Sequence, residues 1–259
     1  MTLFITSVIT FSAWFSYRYA WWKRAVDYKY PRILMYHMVR DKISRNRYNS
    51  LRVDPEVFEQ QIKYLYEKGW SSYTMSEIIA HREQLPEKSV VITFDDGYED
   101  NFKNAFPILK KYNFKATIYL INHRHDCGLK YEPKLTDDQV FELIESGLIE
   151  IGAHTLNHIN LAETGEKESE DEICLSGKLI EEEFQTVCTS FAYPFGRYKT
   201  SDKKVVEKCG YTHAVTTQKG IADLNHCDLY EIPRVTVSGK DSMFTFYLKM
   251  RTGKRGISK

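Results

Sequence analysis

The sequence predicts an α/β protein built on a parallel sheet, with its chemistry gathered where strands end. Three observations carry this. Short apolar or β-branched runs alternate with amphipathic stretches over most of the 259 residues, which is the pattern of repeated strand–helix units. One such run, Ser89-Val90-Val91-Ile92, leads into Thr93-Phe94-Asp95-Asp96-Gly97, and another, Leu148 to Ala153, leads into His154-Thr155-Leu156-Asn157-His158. Strand ends are where α/β folds place reactive groups.

The bounds agree with one enzyme-sized domain plus a short appendage. A formal net charge of +1 argues against a general polyanion or nucleic-acid binder, and 42% hydrophobic residues suffice for one core. From Thr2 to Tyr17 no residue is charged, and Leu3, Phe4, Ile5, Val8, Ile9, Phe11, Trp14 and Phe15 show no clear polar face. Roughly 20 apolar residues are needed to span a bilayer, so this segment is read as an uncleaved anchor, spanning or interfacial, with Tyr17, Tyr19, Trp21 and Trp22 suited to the interface. Arg18, Lys23 and Arg24 follow it, a bias that would keep the domain in the cytoplasm, and periplasmic placement is the alternative. The five cysteines, Cys127, Cys174, Cys188, Cys209 and Cys227, are odd in number and lack zinc-module spacing, so they are expected to be free thiols of a reducing compartment. The expected division is residues 1–28 as anchor and linker, 29–240 as the catalytic domain and 241–259 as a basic tail.

Taken in order, Arg32 to Val39 reads as the first strand. Asp54-Pro55 opens a helix through Phe58, Ile62 and Leu65 to Gly69, with Asp as N-cap, Pro in the first turn and Gly as the stop. Thr74 to Glu77 and Thr136 to Gln139 are capping boxes that open two more helices. A helix after Glu99 carries Phe102, Ala105, Phe106 and Leu109, with Pro107 marking a kink or a short element. Ala116 to Leu120 is a strand. Between Glu163 and Glu183, Ile173, Leu179, Ile180 and Phe184 form one apolar stripe on an otherwise charged helix. Strands at Ser190–Tyr193, Thr212–Thr216 and Ile232–Val237 complete the series. The segment from Phe244 to Lys259 is aromatic and then basic, and reads either as a frayed tail or as a contact for anionic lipid.

Adjacent carboxylates repel unless a metal ion takes one and leaves the other as a base. Two histidines four residues apart can converge on the same ion, and one carboxylate completes three protein ligands, for which Asp96 is the candidate. With Tyr193-Pro194-Phe195-Gly196 as a looser third motif, Thr-Phe-Asp-Asp-Gly and His-Thr-x-x-His in this order resemble the polysaccharide deacetylases, the NodB-homology group or carbohydrate esterase family 4. The resemblance runs from about Pro31 to Val237. It implies a distorted, incomplete (β/α)7 barrel. It implies Asp96, His154 and His158 as the metal triad, zinc being the natural ion and other first-row ions being possible, and Asp95 as the general base. Water polarised by the ion would attack an acetamide carbon, with the Phe195 N–H helping to hold the oxyanion.

The sequence departs from the usual family pattern at three places. Ala192 replaces the arginine that commonly opens the third motif, no tryptophan follows Trp70, and no Gly-His stands near the C-terminus. A histidine ending an apolar strand is ordinarily a core residue, but Tyr36-His37-Met38-Val39 resembles the first strand of the poly-N-acetylglucosamine deacetylase branch. That likeness implies His37 as the general acid, with Arg234 in Ile232-Pro233-Arg234-Val235 tethering Asp95. The expected protein is thus a membrane-associated, metal-dependent N-deacetylase of N-acetyl hexosamine units in a cell-envelope glycan or lipid-linked precursor, in lipopolysaccharide or exopolysaccharide synthesis. O-acetyl ester or other amide hydrolysis on a carbohydrate, or an inactive glycan-binding barrel, are the alternatives.

Overall fold

The alternating runs fold as strand–helix units around a ring of parallel strands. The computed structural model describes residues 2–125, 129 and 132–256. Its strands are β1 (Arg32–Tyr36), β2 (Met38–Val39), β3 (Arg52–Val53), β4 (Ser71–Tyr73), β5 (Ser89–Phe94), β6 (Ala116–Leu120), β7 (Ile149–Ala153), β8 (Ser190–Ala192), β9 (His213–Lys219) and β10 (Ile232–Thr236). Seven of them close a barrel in the order β1, β5, β6, β7, β8, β9, β10, and β4 pairs with the first half of β5. Closure rests on Leu34 opposite Val235 and Met35 opposite Thr236. The ring is distorted: β7 and β8 share a single register pair, Ala153 with Phe191, and the β9–β10 register slips between Ile232 and Arg234.

The helices are α1 (Thr2–Tyr19), α2 (Pro55–Glu67), α3 (Met75–Ala80), α4 (Phe106–Tyr112), α5 (Asp137–Glu145), α6 (Glu166–Phe184), α7 (Thr200–Lys208) and α8 (Met243–Thr252). The local signals act as written. Asp54 caps α2 by accepting from Glu56 N–H, and α3 and α5 begin on complete capping boxes at Thr74 and Thr136. Helix α2 lays Phe58, Ile62 and Leu65 against the barrel, and each such side chain contributes roughly 1.5–3 kcal/mol by leaving water.

Four expectations need correction. The first strand is not continuous: it breaks at His37, which separates β1 from β2. The helix expected after Glu99 is split into a π-helical turn, Asn101–Ala105, and α4, with Pro107 in the first turn of α4, where a missing N–H costs nothing. The basic tail contains α8, capped by Ser242 and stopped by Gly253 at φ +75°, with Phe246, Leu248 and Met250 buried. It is thus part of the core rather than frayed. Finally, Cys174 and Cys209 form a disulfide joining α6 to the end of α7, while Cys188 and Cys227 are free and Cys127 lies outside the described residues.

The C-terminal end of α1 packs on α8, with the rings of Phe15 and Tyr19 at 6.0 and 5.5 Å from that of Phe244. Phe11, Trp14, Tyr17, Trp21 and Trp22 remain exposed. Among the described residues, no helix is long and apolar enough to cross a membrane.

Candidate active site

Strand β5 delivers Asp95 and Asp96 to the C-terminal mouth of the barrel. The chain must turn sharply there: Asp96 has φ +76° and Gly97 φ +64°, and a Cβ on Gly97 would stand 2.6 Å from Leu120 Cδ1. Any side chain at 97 would meet both the left-handed backbone and Leu120, which favours glycine there. Lys134 Nζ donates to the Asp96 carbonyl at 2.9 Å and holds the turned peptide.

Strand β7 delivers the histidines in the same way. His154 Nδ1 donates to the Ala192 carbonyl at 2.7 Å, which fixes the ring and leaves the Nε2 lone pair free. Thr155 and His158 both have left-handed backbones, φ +66° and +54°. Their loop is held by Glu172 of α6, whose carboxylate accepts from the N–H groups of Leu156 and Asn157 at 2.9 and 3.0 Å and from the Asn157 amide at 2.6 Å. Nothing in the charged run around Glu172 distinguishes it, except that it falls on the buried face of the helix.

The result is convergence. His154 Nε2 and His158 Nε2 lie 3.4 and 3.2 Å from Asp96 Oδ1. One ligand atom from each of the three residues lies within 4.8 Å of the others. Asp96 Oδ1 is buried without a hydrogen-bond partner. An orphaned carboxylate oxygen facing two imidazole nitrogens fits a divalent ion, and one O and two N donors suit zinc or another first-row metal.

Asp95 is held differently. Arg234 Nη1 and Nη2 donate to its two oxygens at 2.7 Å each, and the same guanidinium is fixed by Thr216 O and Thr93 Oγ1 at 3.0 and 2.9 Å. Both side chains are buried. Burial alone would raise the Asp95 pKa, but the charge and hydrogen bonds of Arg234 overcome it and hold the carboxyl below its usual value.

His37 lines the same cavity, and the π-helical turn after the Asp pair fixes its backbone. Asn101 Nδ2 donates to the His37 carbonyl at 2.8 Å, and Asp100 accepts from Val39 N–H at 2.9 Å. Burial lowers the His37 pKa, and the carboxylates of Asp95 and Asp96 pull against that shift. The two histidines nearest the C-terminus are elsewhere: His213 is buried in β9, and His226 is exposed beside Asp223. Phe195, at φ +57°, sets its half-exposed ring 4.5 Å from that of His158. The cavity measures about 540 Å³, inside the roughly 300–1,000 Å³ of small-molecule sites, and is completed by Tyr48, Leu51, Tyr98 and Thr217, none of which the sequence singled out.

The profile of the family described as Polysaccharide deacetylase matches residues 82–214. The Bacillus subtilis protein YxkH is 37% identical over 222 residues, covering 85% of this chain and 75% of its own. The chain belongs to the polysaccharide deacetylase family. This deacetylase is therefore a hydrolase of N-acetyl groups on carbohydrate, in a family whose members typically depend on a metal ion. It is also 30% identical to the poly-β-1,6-N-acetyl-D-glucosamine N-deacetylase of Staphylococcus epidermidis, over 79% of this chain and 78% of that one. Among solved structures, the Streptococcus pyogenes deacetylase PplD in complex with acetate superposes with a TM-score of 0.77 at 27% identity, covering 88% of the deacetylase and 99% of PplD.

Proposed function

We propose that this deacetylase removes N-acetyl groups from N-acetyl hexosamine units of a cell-envelope glycan or a lipid-linked glycan precursor. The observation that carries the reading is one cavity holding an Arg-clamped carboxylate, Asp95, beside the converged Asp96, His154 and His158. The name of the staphylococcal relative supports an N-acetylglucosamine substrate. A divalent ion held by Asp96, His154 and His158, zinc being the best match to the donors, would supply Lewis-acid polarisation of the acetamide carbonyl and a more acidic water. Asp95, kept ionised by Arg234, takes the proton of the attacking water. The Phe195 N–H donates to the oxygen on which negative charge develops. His37 gives a proton to the departing nitrogen, since an amine leaves poorly without one.

We also place the protein at a membrane surface through the exposed aromatic residues of α1, which suit an interface belt. The disulfide favours an oxidising compartment, because such bonds rarely persist in the cytosol. Orientation by flanking charge is a rule for spanning helices, so the disulfide is the stronger guide and the extracytoplasmic side is the proposal. Acetate release from N-acetylglucosamine oligomers, abolished by a chelator and restored by zinc, is the expected result. Release from O-acetylated but not N-acetylated sugars would overturn the amide assignment.

A further inference from the structure

Outside the catalytic cavity, a cluster of charge with few ion-pair partners among the described residues lies at the ends of β9, β10 and α8. A second cavity of about 410 Å³ is lined there by Lys219, Lys240, Lys249, Lys254 and Arg255, with Asp241 as its lone carboxylate. In a chain of net charge +1, five cations against one anion is a concentrated field.

The single carboxylate is already committed. Asp241 Oδ2 accepts from Lys249 Nζ and from the Ser238 N–H. Lys249 Nζ also donates to the Thr236 carbonyl at 2.8 Å, which leaves one of its three protons unused. Thr236 Oγ1, on the same lining, is buried without a hydrogen-bond partner. No ion pair engages Lys219, Lys240, Lys254 or Arg255 among the described residues, and Arg255 and Lys219 repel the Lys249 ammonium, adding to the burial that lowers its pKa. Cations are gathered against their mutual repulsion, beside one buried hydroxyl, Thr236 Oγ1, that has no hydrogen-bond partner. This is the environment a multiply charged oxyanion relieves.

Its position links it to catalysis. Thr217 lines the catalytic cavity and Lys219 lines this one, two residues further along β9; Arg234 holds Asp95 and Thr236 lines this cavity, two residues further along β10. On β10 such a step keeps the strand face and advances roughly 7 Å, while on β9 the register slips between Val215 and Lys219 and only the order along the chain is fixed. The two cavities thus follow one another along β10, with β9 contributing a lining residue to each.

We propose that this cavity is an anion subsite for the phosphate of a phosphate-bearing substrate whose sugar occupies the catalytic cavity. The part concerning the sugar rests on the deacetylase reading above; the phosphate site does not. Phosphate chemistry fits because a tetrahedral dianion accepts from several ammonium groups at once, where a neutral glycan would leave them unpaired.

The test is calorimetric titration of the full chain with inorganic pyrophosphate, repeated with a Lys219→Ala/Arg255→Ala variant whose thermal melt matches the parent. Both side chains stand outside the core, and Lys249 is left in place. Loss of two charge-assisted contacts should weaken binding by about tenfold or more. No pyrophosphate binding by the parent, or equal binding by both proteins, overturns the proposal. Sedimentation with phosphatidylglycerol vesicles separates the sources of phosphate. Vesicle binding that pyrophosphate displaces, and that the double variant loses, assigns the phosphate to a lipid. Pyrophosphate binding with vesicle binding unchanged in the variant assigns it to a soluble phosphorylated glycan. Acetate release from uncharged oligomers by the parent reports the deacetylase reading separately, so either claim can fail alone.

Discussion

Arg234 meets Asp95 end-on, two nitrogens to two oxygens at 2.7 Å each, across 139 residues of sequence. The pair faces across one intervening strand of the closed ring, because β10 docks against β1, which in turn pairs with β5. Arg234→Gln should leave Asp95 buried without a countercharge. The acid limb of the pH–rate profile should move to higher pH, because the group now keeps its proton longer, and stability should fall by about 3–5 kcal/mol. An acid limb unchanged from the parent would remove Asp95 from the base role.

His158→Ala or Asp96→Ala should lower metal content and turnover together, since a site of three protein ligands tolerates the loss of one poorly. Asp95→Asn should retain the metal and lose the rate. Full metal occupancy in His158→Ala, measured by elemental analysis after dialysis, would refute the ligand set.

His37→Ala should bind metal normally yet lose roughly 100-fold or more in turnover on an amide. On an activated aryl ester, whose leaving group needs no proton, the loss should be much smaller. Equal losses on both substrates would reduce His37 to a packing role.

His213 gives a prediction about stability. Burial depresses its pKa from 6.5 to about 3, so the unfolded chain takes up the proton first. Its contribution to stability is full above about pH 6.5 and is lost as pH falls towards 3. His213→Phe should flatten the pH dependence of the urea midpoint between pH 6.5 and 4, by up to about 1.4 kcal/mol per pH unit. A slope identical to the parent's would show that another group sets the acid sensitivity.

Non-reducing peptide mapping after alkylation should find Cys174 and Cys209 unlabelled until reductant is added. If the domain faces outward, a membrane-impermeant maleimide should label the half-buried Cys227 in intact cells. Labelling only after lysis would return the domain to the cytoplasm.

Much of this arrangement was legible in the sequence because it is written locally. Caps such as Asp54-Pro55 and Thr74 to Glu77 depend on residues three or four positions apart, and the Asp and His motifs follow directly on their strands. What was not legible depends on distant partners. Glu172 looks like any other residue of a charged helix until α6 lies under the histidine loop. Tyr48, Leu51 and Thr217 reach the cavity from loops and strands far from either motif. Cys174 and Cys209 meet across a separation of 35 residues. Helix α8 reads as a tail in the sequence because basic residues follow its aromatic ones, and only its packing shows Phe246, Leu248 and Met250 to be core. The break at His37 needed the side chains of Asp100 and Asn101, which no pattern within the first strand contains.

The closure of the ring by its first and last strands bears on how the protein is made. During synthesis β1 and β5 emerge from the ribosome well before β10, so the clamp on Asp95 cannot form until the last strand of the ring has followed. Until then a nascent chain carries the Asp and His motifs without the guanidinium that holds Asp95 ionised. A fragment that ended between Gly196 and Arg234 would carry all three motifs and lack the partner of Asp95.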